Sequence, residues 1–274
     1  MHLRVFEKMP NGFHRLQTLM VKLGLFDQMK ILPSDNVQID VMDHPEIAGK
    51  HNILHQTIER FQQATQTTFG LHVILQKNVP MGAGLGGGSA NAARLLSYLQ
   101  KTYAPHVSDE EMHELALSLG SDVPFFLLES DWAVLAGQGE EVVSVGTADT
   151  LWAVLCYPKI SLHTGSMYQK LNRGLTWVGQ GDKSPQSSHV QKWEEFRNVL
   201  PWVNDFEQVI DGPWLQAIKT KMHEQGSLFS QLSGSGSAVF GLFERHEDAK
   251  KACHALKDFG QVFAVSTDWG VGKW

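Results

Sequence analysis

Hydrophobic positions along the chain alternate in some stretches and recur every three to four residues in others, and the two periods predict different elements. "LRVF" and "LQTLMVKLGLF" are rich in strand formers and flank "MPNGFH". Asn11-Gly12 there predicts a hairpin, because both residues tolerate positive φ. "VQIDVM" alternates and reads as a further strand. From Asn52 to about Thr67, Ile53, Leu54, Ile58 and Phe61 fall on one helical stripe. "LHVILQK" (71–77) is a strand, and "NAARLLSYLQKTY" is a helix with Ala92, Leu95, Leu96 and Leu99 on its buried face and Ser89 as its cap. "SDEEMHELALSL" opens on Ser108 with Glu111 three residues later, a capping-box spacing. Further on come a strand at 151–158, a helix in "PWLQAIKTKMHEQ", a strand in "SAVFGLF", a helix in "HEDAKKACHALKDF" and a strand in "QVFAVS". Residues 174–192 are polar and Gly/Ser-rich, and predict a long loop or flap. Strands and helices alternate without the regular spacing of a parallel βαβ array, which predicts an α+β protein.

Composition narrows the function classes. With 42% hydrophobic and 19% charged residues in 274, the chain can bury a large core. Its net charge of −6 and the lack of a dense Lys/Arg run make nucleic acid an unexpected partner. Cys156 and Cys253 supply neither a disulfide framework nor a ligand set, and predict a reduced, cytoplasmic protein. No apolar run is long enough to span a bilayer, so no membrane association is expected.

One segment does not fit either period. "PMGAGLGGGSANAA" (80–93) holds five glycines between a strand and an amphipathic helix. A flexible linker has no reason to stand there. Glycines let successive backbone N–H groups converge, and a helix start adds partial positive charge, which together suit a phosphate. The Gly-Lys-Ser/Thr phosphate loop is excluded, because Gly88-Ser89 follow without a lysine. The dinucleotide pattern G-x-G-x-x-G is matched loosely by Gly82, Gly84 and Gly87, without a strand-end acid about twenty residues on.

The segment Pro80-Met81-Gly82-Ala83-Gly84-Leu85-Gly86-Gly87-Gly88-Ser89-Ala90 resembles the phosphate-binding loop of the GHMP kinase family, P-x-G-x-G-L-G-S/G-S/G-S-x-x-A. "LGSDVPFF" (119–126) resembles the family segment that supplies a catalytic aspartate, here Asp122, and "LSGSGSAVFGLF" (232–243) resembles its third motif, with Gly234, Ser235 and Gly236 beside the phosphates. The resemblance implies ATP and Mg²⁺ as cofactors, with Ser89 helping to place the metal, and Asn52 and Lys77 on the adenosine side. It implies an ATP-binding domain over 1–147, like domain 2 of ribosomal protein S5, and a ferredoxin-like C-terminal domain over 148–274. The hairpin "EKMPNGFHRLQTLM", with "LAGQGEEV", "YPKISLHT" and "NDFE", resembles those members that phosphorylate a cytidylyl sugar alcohol. In them an aromatic residue, usually Tyr, and a His recognise the base, and Phe13 and His14 stand there; Thr164 falls where they line the substrate pocket. Asn204 and Asp205 either belong to that pocket or cap the segment that follows them. A monomer or weak homodimer is expected.

The chain departs from the family at its first strand. The P-A-K-x-N-L motif has no counterpart in these residues, since "MHLRVF" aligns within that strand, and Lys8 falls at its hairpin end. The lysine of that motif reaches the reacting centre, and loss of such a cation could cost on the order of several kcal/mol of transition-state stabilisation. A kinase for another small alcohol, or a nucleotide-binding member with impaired turnover, are the alternative readings.

Overall fold

The computed structural model describes residues 2–171, 188–190, 193–196 and 201–268. The first hairpin joins β1 (His2–Lys8) to β2 (His14–Val21), antiparallel. Its turn differs from the paired positive-φ turn that Asn11-Gly12 predicts. Gly12 donates to the Met9 carbonyl at 2.9 Å and Met9 to the Phe13 carbonyl at 2.7 Å, and Gly12 takes φ +88°. Pro10 and Asn11 therefore occupy the centre of a turn closed by a left-handed glycine, the three-residue hairpin geometry. Asn11 Oδ1 accepts from Phe13 N at 3.1 Å and holds the turn from outside.

The stretch "LQTLMVKLGLF" does not continue as one strand; β2 stops at Val21, and β3 (Gln28–Pro33) begins separately. The chain continues through β4 (Val37–Met42), α1 (Ile53–Thr65), β5 (Leu71–Gln76), α2 (Gly87–Tyr103), α3 (Asp109–Leu119) and the short α4 (Val123–Leu127). β6 (Trp132–Ala136), β7 (Glu141–Ala148), β8 (Trp152–Tyr157), α5 (Thr164–Leu171) and β9 (Ser188–Val190) follow. α6 (Trp214–Glu224), β10 (Phe229–Leu232), β11 (Val239–Phe243), α7 (His246–Ala255) and β12 (Gln261–Ser266) complete the described elements. Of the loop expected over 174–192, residues 188–190 form the short β9, and 174–187 and 191–192 lie outside the described residues.

Packing groups the chain differently from its order in sequence. One compact unit holds Leu25–Met81 and Gly86–Glu129; the other holds the described residues up to Gly24, Gly82–Leu85 and those from Ser130 onward. The first unit has a three-stranded sheet, β3-β5-β4, with β4 and β5 parallel. Its core sets Val73 and Leu75 of β5 against Leu54, Ile58 and Phe61 of α1 and Leu95, Leu96 and Leu99 of α2. Those helix positions are the stripes the periodicity predicts. Each fully buried leucine contributes about 1.5–3 kcal/mol.

The second unit has two sheets, ordered β1-β2-β6-β7-β9 and β10-β11-β8-β12. The latter is antiparallel throughout and packs Val154, Cys156, Val239 and Phe243 against Ile218 and Met222 of α6 and Ala249 and Ala252 of α7. Val5 of β1 joins that core, and its N–H donates to Asp205 at 2.9 Å. Helices and mostly antiparallel sheets in two units make this an α+β chain. No helix among the described residues is long and apolar enough to cross a membrane.

Candidate active site

The glycine loop runs through both units, 82–85 with one and 86 onward with the other. Its five glycines serve different ends. Gly82, Gly84 and Gly86 take φ of +65°, +73° and +68°, conformations that favour glycine. A Cβ on Gly84 would also meet the Ser233 carbonyl oxygen, and one on Gly87 would lie 2.9 Å from Val79 Cγ1. Gly88 is not explained in this way. Its φ is not left-handed, and a Cβ there would meet only Ile53 Cγ2 at 4.0 Å. The room beside Gly88 suits a ligand that lies against the backbone.

Helix α2 starts at Gly87 with Gly86 as N-cap, and no side chain caps it. Ser89 is therefore not the cap the sequence suggests, because it sits inside the first turn. The consequence favours anion binding: the N–H groups that open a helix lack intrahelical partners, and no side chain competes for them here. Asp122 belongs to the same unit. It occupies the N-cap position of α4, yet its side chain makes no cap hydrogen bond; Val123 N donates to Gly120 O at 3.0 Å instead. Pro124 removes a further donor. The carboxylate is thus not spent on the helix. Crowding by the surrounding protein raises its pKa above the ordinary carboxylate value, and a hydrogen bond from Ser121 opposes the rise. Solvent still reaches the exposed side chain and limits the rise. Phe126, one turn on, sets its ring where a Cβ on Gly86 would stand (2.9 Å), so α4 is keyed to the start of α2.

Asn52 caps α1, accepting from Leu54 N at 2.9 Å and donating to Ile47 O at 2.8 Å. The Lys77 ammonium is paired with Asp27.

In the other unit the tip of the loop rests on the third motif. Ala238 N donates to Ala83 O at 3.0 Å, and Ser233 Oγ to Gly84 O at 2.8 Å. Gly234 and Gly236 are left-handed, and Gly236 N closes the turn on Ser233 O at 2.8 Å. Thr164, at the start of α5, shares a 2.8 Å hydroxyl contact with Ser235, so a residue that the resemblance assigns to the substrate meets one that it assigns to the phosphates. Asn204 caps the 3-10 turn after it, through Phe206 N at 3.0 Å. It also donates to Leu232 O and Gly234 O, at 2.9 and 2.8 Å, and so holds the motif from behind.

The hairpin presents Phe13 with 61% of its surface exposed, far more than a core phenylalanine keeps. His14 Nδ1 lies 3.0 Å from the Phe6 carbonyl, and its ring stacks on Tyr168 of α5 (centroids 5.2 Å apart, 13° between planes). A carbonyl only accepts, so Nδ1 carries the hydrogen, and in the neutral ring Nε2 is left as an acceptor. Tyr168 in turn meets Phe206 edge-on. Tyr168 and Ser233 are absent from the sequence-based site. Tyr168 is an isolated aromatic in a short helix and carries no signal. Ser233 is the one serine of its motif whose role depends on a partner 149 positions away.

Two sequence matches coincide with this arrangement. Residues 52–130 match the GHMP kinases N terminal domain, and residues 191–262 match GHMP kinases C terminal. This chain belongs to the GHMP kinase family. Among its relatives is a 4-diphosphocytidyl-2-C-methyl-D-erythritol kinase of Chloroherpeton thalassium, 31% identical over 252 residues, covering 91% of this chain and 88% of that one. One of the same name from Syntrophus aciditrophicus is 33% identical over 257 residues, covering 92% and 89%. The crystal structure of a 4-(cytidine 5'-diphospho)-2C-methyl-D-erythritol kinase superposes with a TM-score of 0.77 at 28% identity, over 97% of this chain and 94% of that one. L. major mevalonate kinase in complex with R-mevalonate superposes at 0.65 with 15% identity, over 91% and 89%, a likeness of fold alone. As a GHMP kinase the chain uses ATP.

Proposed function

We propose that this GHMP kinase transfers the γ-phosphoryl group of ATP to the 2-hydroxyl of 4-diphosphocytidyl-2-C-methyl-D-erythritol, a cytoplasmic step of non-mevalonate isoprenoid biosynthesis. The observation that carries the substrate is the hairpin. Phe13 offers an exposed flat face, and beside it His14 is locked on Phe6 O and Tyr168 with Nε2 as acceptor. Cytosine has an exocyclic amine to donate to that nitrogen, whereas uracil would oppose it with a second acceptor. The full-length relatives that carry the cytidylyl kinase name support the same reading. Thr164, joined to Ser235, would touch the substrate within the same unit as the hairpin.

Phosphoryl transfer needs alignment and charge neutralisation more than covalent chemistry. The backbone N–H groups at Gly86–Ser89 would hold the phosphates, with Gly88 leaving the room they need. The turn Gly234-Ser235-Gly236 would support the loop tip from its own side. Mg²⁺ would bring charge to the transferring group, with the Ser89 hydroxyl helping to orient it. Such an ion would arrive on the nucleotide, held mainly by its phosphates. Asp122 would orient the substrate hydroxyl and take its proton as the O–P bond forms; a carboxylate is a sufficient base, because that proton turns acidic only then. Asn52 and Lys77, whose side chains are engaged within the protein, would shape the adenosine side. In these functional terms 1–147 is the ATP-binding part and 148–274 completes the enzyme. Comparing turnover of the cytidylyl substrate with that of its uridylyl analogue tests the reading. A preference of roughly ten- to a hundredfold is expected from one mismatched acceptor, and equal use of both would remove the base-recognition role of His14.

A further inference from the structure

The side chain of Asp27 is fully buried and takes no part in the chemistry proposed above. Each of its oxygens accepts from two donors. Oδ1 takes the backbone N–H of Asn78 at 2.7 Å and of Val79 at 2.8 Å. Oδ2 takes Asn91 Nδ2 at 2.7 Å and the Lys77 ammonium. These donors stand on the two stems of the glycine loop: 77–79 lead into it, and Asn91 leaves it on the second turn of α2. The ammonium itself lies 3.6 Å from where a Cβ on Gly87 would be, beneath the first turn of that helix. A buried ion pair contributes little net stability against an apolar replacement of similar shape. Bracing the fold is therefore a poor account of four donors converging on one carboxylate. Fixing a geometry is a better one, because both hydrogen-bonded stems must keep their positions relative to a single rigid group.

We propose that Asp27 is the positioning residue of the phosphate loop: it clips the end of β5 to the start of α2, so that the N–H groups at 86–89 converge before the nucleotide arrives. Lys77 and Asn91 act through it. The clip lowers the ordering cost of binding and so raises affinity for ATP alone. The inference rests on the reading that this loop receives ATP.

Calorimetric titration of the full chain with Mg-ATP, and separately with the cytidylyl substrate, tests it without requiring turnover. Asp27→Asn sets an amide against the Lys77 and Asn91 donors, while Asn91→Ala leaves the Asp27–Lys77 pair in place and cuts only the tie to α2. With both variants held well below their melting temperatures, Kd for Mg-ATP should rise about tenfold or more, and Kd for the cytidylyl substrate should stay within about twofold. If Asp27→Asn does not fold, Asn91→Ala carries the comparison. An unchanged Kd for Mg-ATP in the folded variants, or an equal rise in both constants, would overturn the inference and leave Asp27 a brace of the fold. Failure of the unaltered chain to bind Mg-ATP would refute the underlying reading of the loop instead.

Discussion

Asp122 stands at a helix start and makes no cap hydrogen bond, and it is the residue to which we assign the role of base. Replacing it with Asn keeps the shape and removes the base. Turnover should fall by roughly 10²–10⁴, the span that a positioned general base supplies, and Kd for Mg-ATP should hardly move. Because crowding raises the Asp122 pKa, the base is lost by protonation at a higher pH than for an ordinary aspartate. The acid limb of kcat should therefore lie above the usual carboxylate range, as a pH–rate profile would reveal. Sequence singled out Asp122, Phe13 and His14 through the resemblance of the motifs in which they stand. It could not mark Asp27, a lone acid in "GLFDQMK", since a buried carboxylate is identified only by the donors that fold onto it. Asn91 left a clue: it falls on the buried stripe of α2 with Leu95 and Leu99 and is polar among them. A polar side chain on such a stripe requires a partner.

The elements followed their periodicity where one face is buried and the caps are local. Ser108 and Glu111 form the reciprocal capping box at the start of α3 that their spacing predicts. Ser108→Ala should lower stability by about 1 kcal/mol, read in thermal melts, and leave turnover unchanged. The start of α2 was less legible, because its cap is a glycine chosen for φ and its serine lies within the first turn. The loop glycines separate structural from functional need. Gly84→Ala forces a left-handed alanine, costing about 1–2 kcal/mol, and drives a methyl into the Ser233 carbonyl; stability and ATP binding should fall together. Gly88→Ala meets only Ile53 at 4.0 Å. Its melting temperature should hold or rise, since alanine is favoured over glycine within a helix by about 0.5–1 kcal/mol, while its affinity for Mg-ATP falls. A Gly88→Ala protein that binds Mg-ATP normally would show that the space beside residue 88 is not where phosphate rests.

Across the whole molecule the packing units interleave along the chain, β1 and β2 joining residues from 130 onward while 25–81 and 86–129 pack together. Local periodicity does not contain such pairing, which depends on contacts far apart in sequence, such as Val5 N to Asp205. His2 of β1 shows what this burial does to stability. Desolvation pushes its pKa down from 6.5 to about 4, with the Nδ1 hydrogen bond to Pro201 O opposing the shift. The unfolded chain then binds more protons between those values, so stability rises with pH across that window and is lost as pH falls from 6.5 toward about 4. The shift corresponds to on the order of 3 kcal/mol, and His2→Leu should flatten that part of the pH–stability curve. The central claim, that the glycine loop and Asp122 make a working cytidylyl kinase, is tested most directly by ADP release from the 274-residue chain supplied with Mg-ATP and 4-diphosphocytidyl-2-C-methyl-D-erythritol. The account predicts ADP formation that requires the cytidylyl substrate and disappears in Asp122→Asn. Tight Mg-ATP binding with no substrate-dependent ADP, or turnover that survives Asp122→Asn, would contradict it.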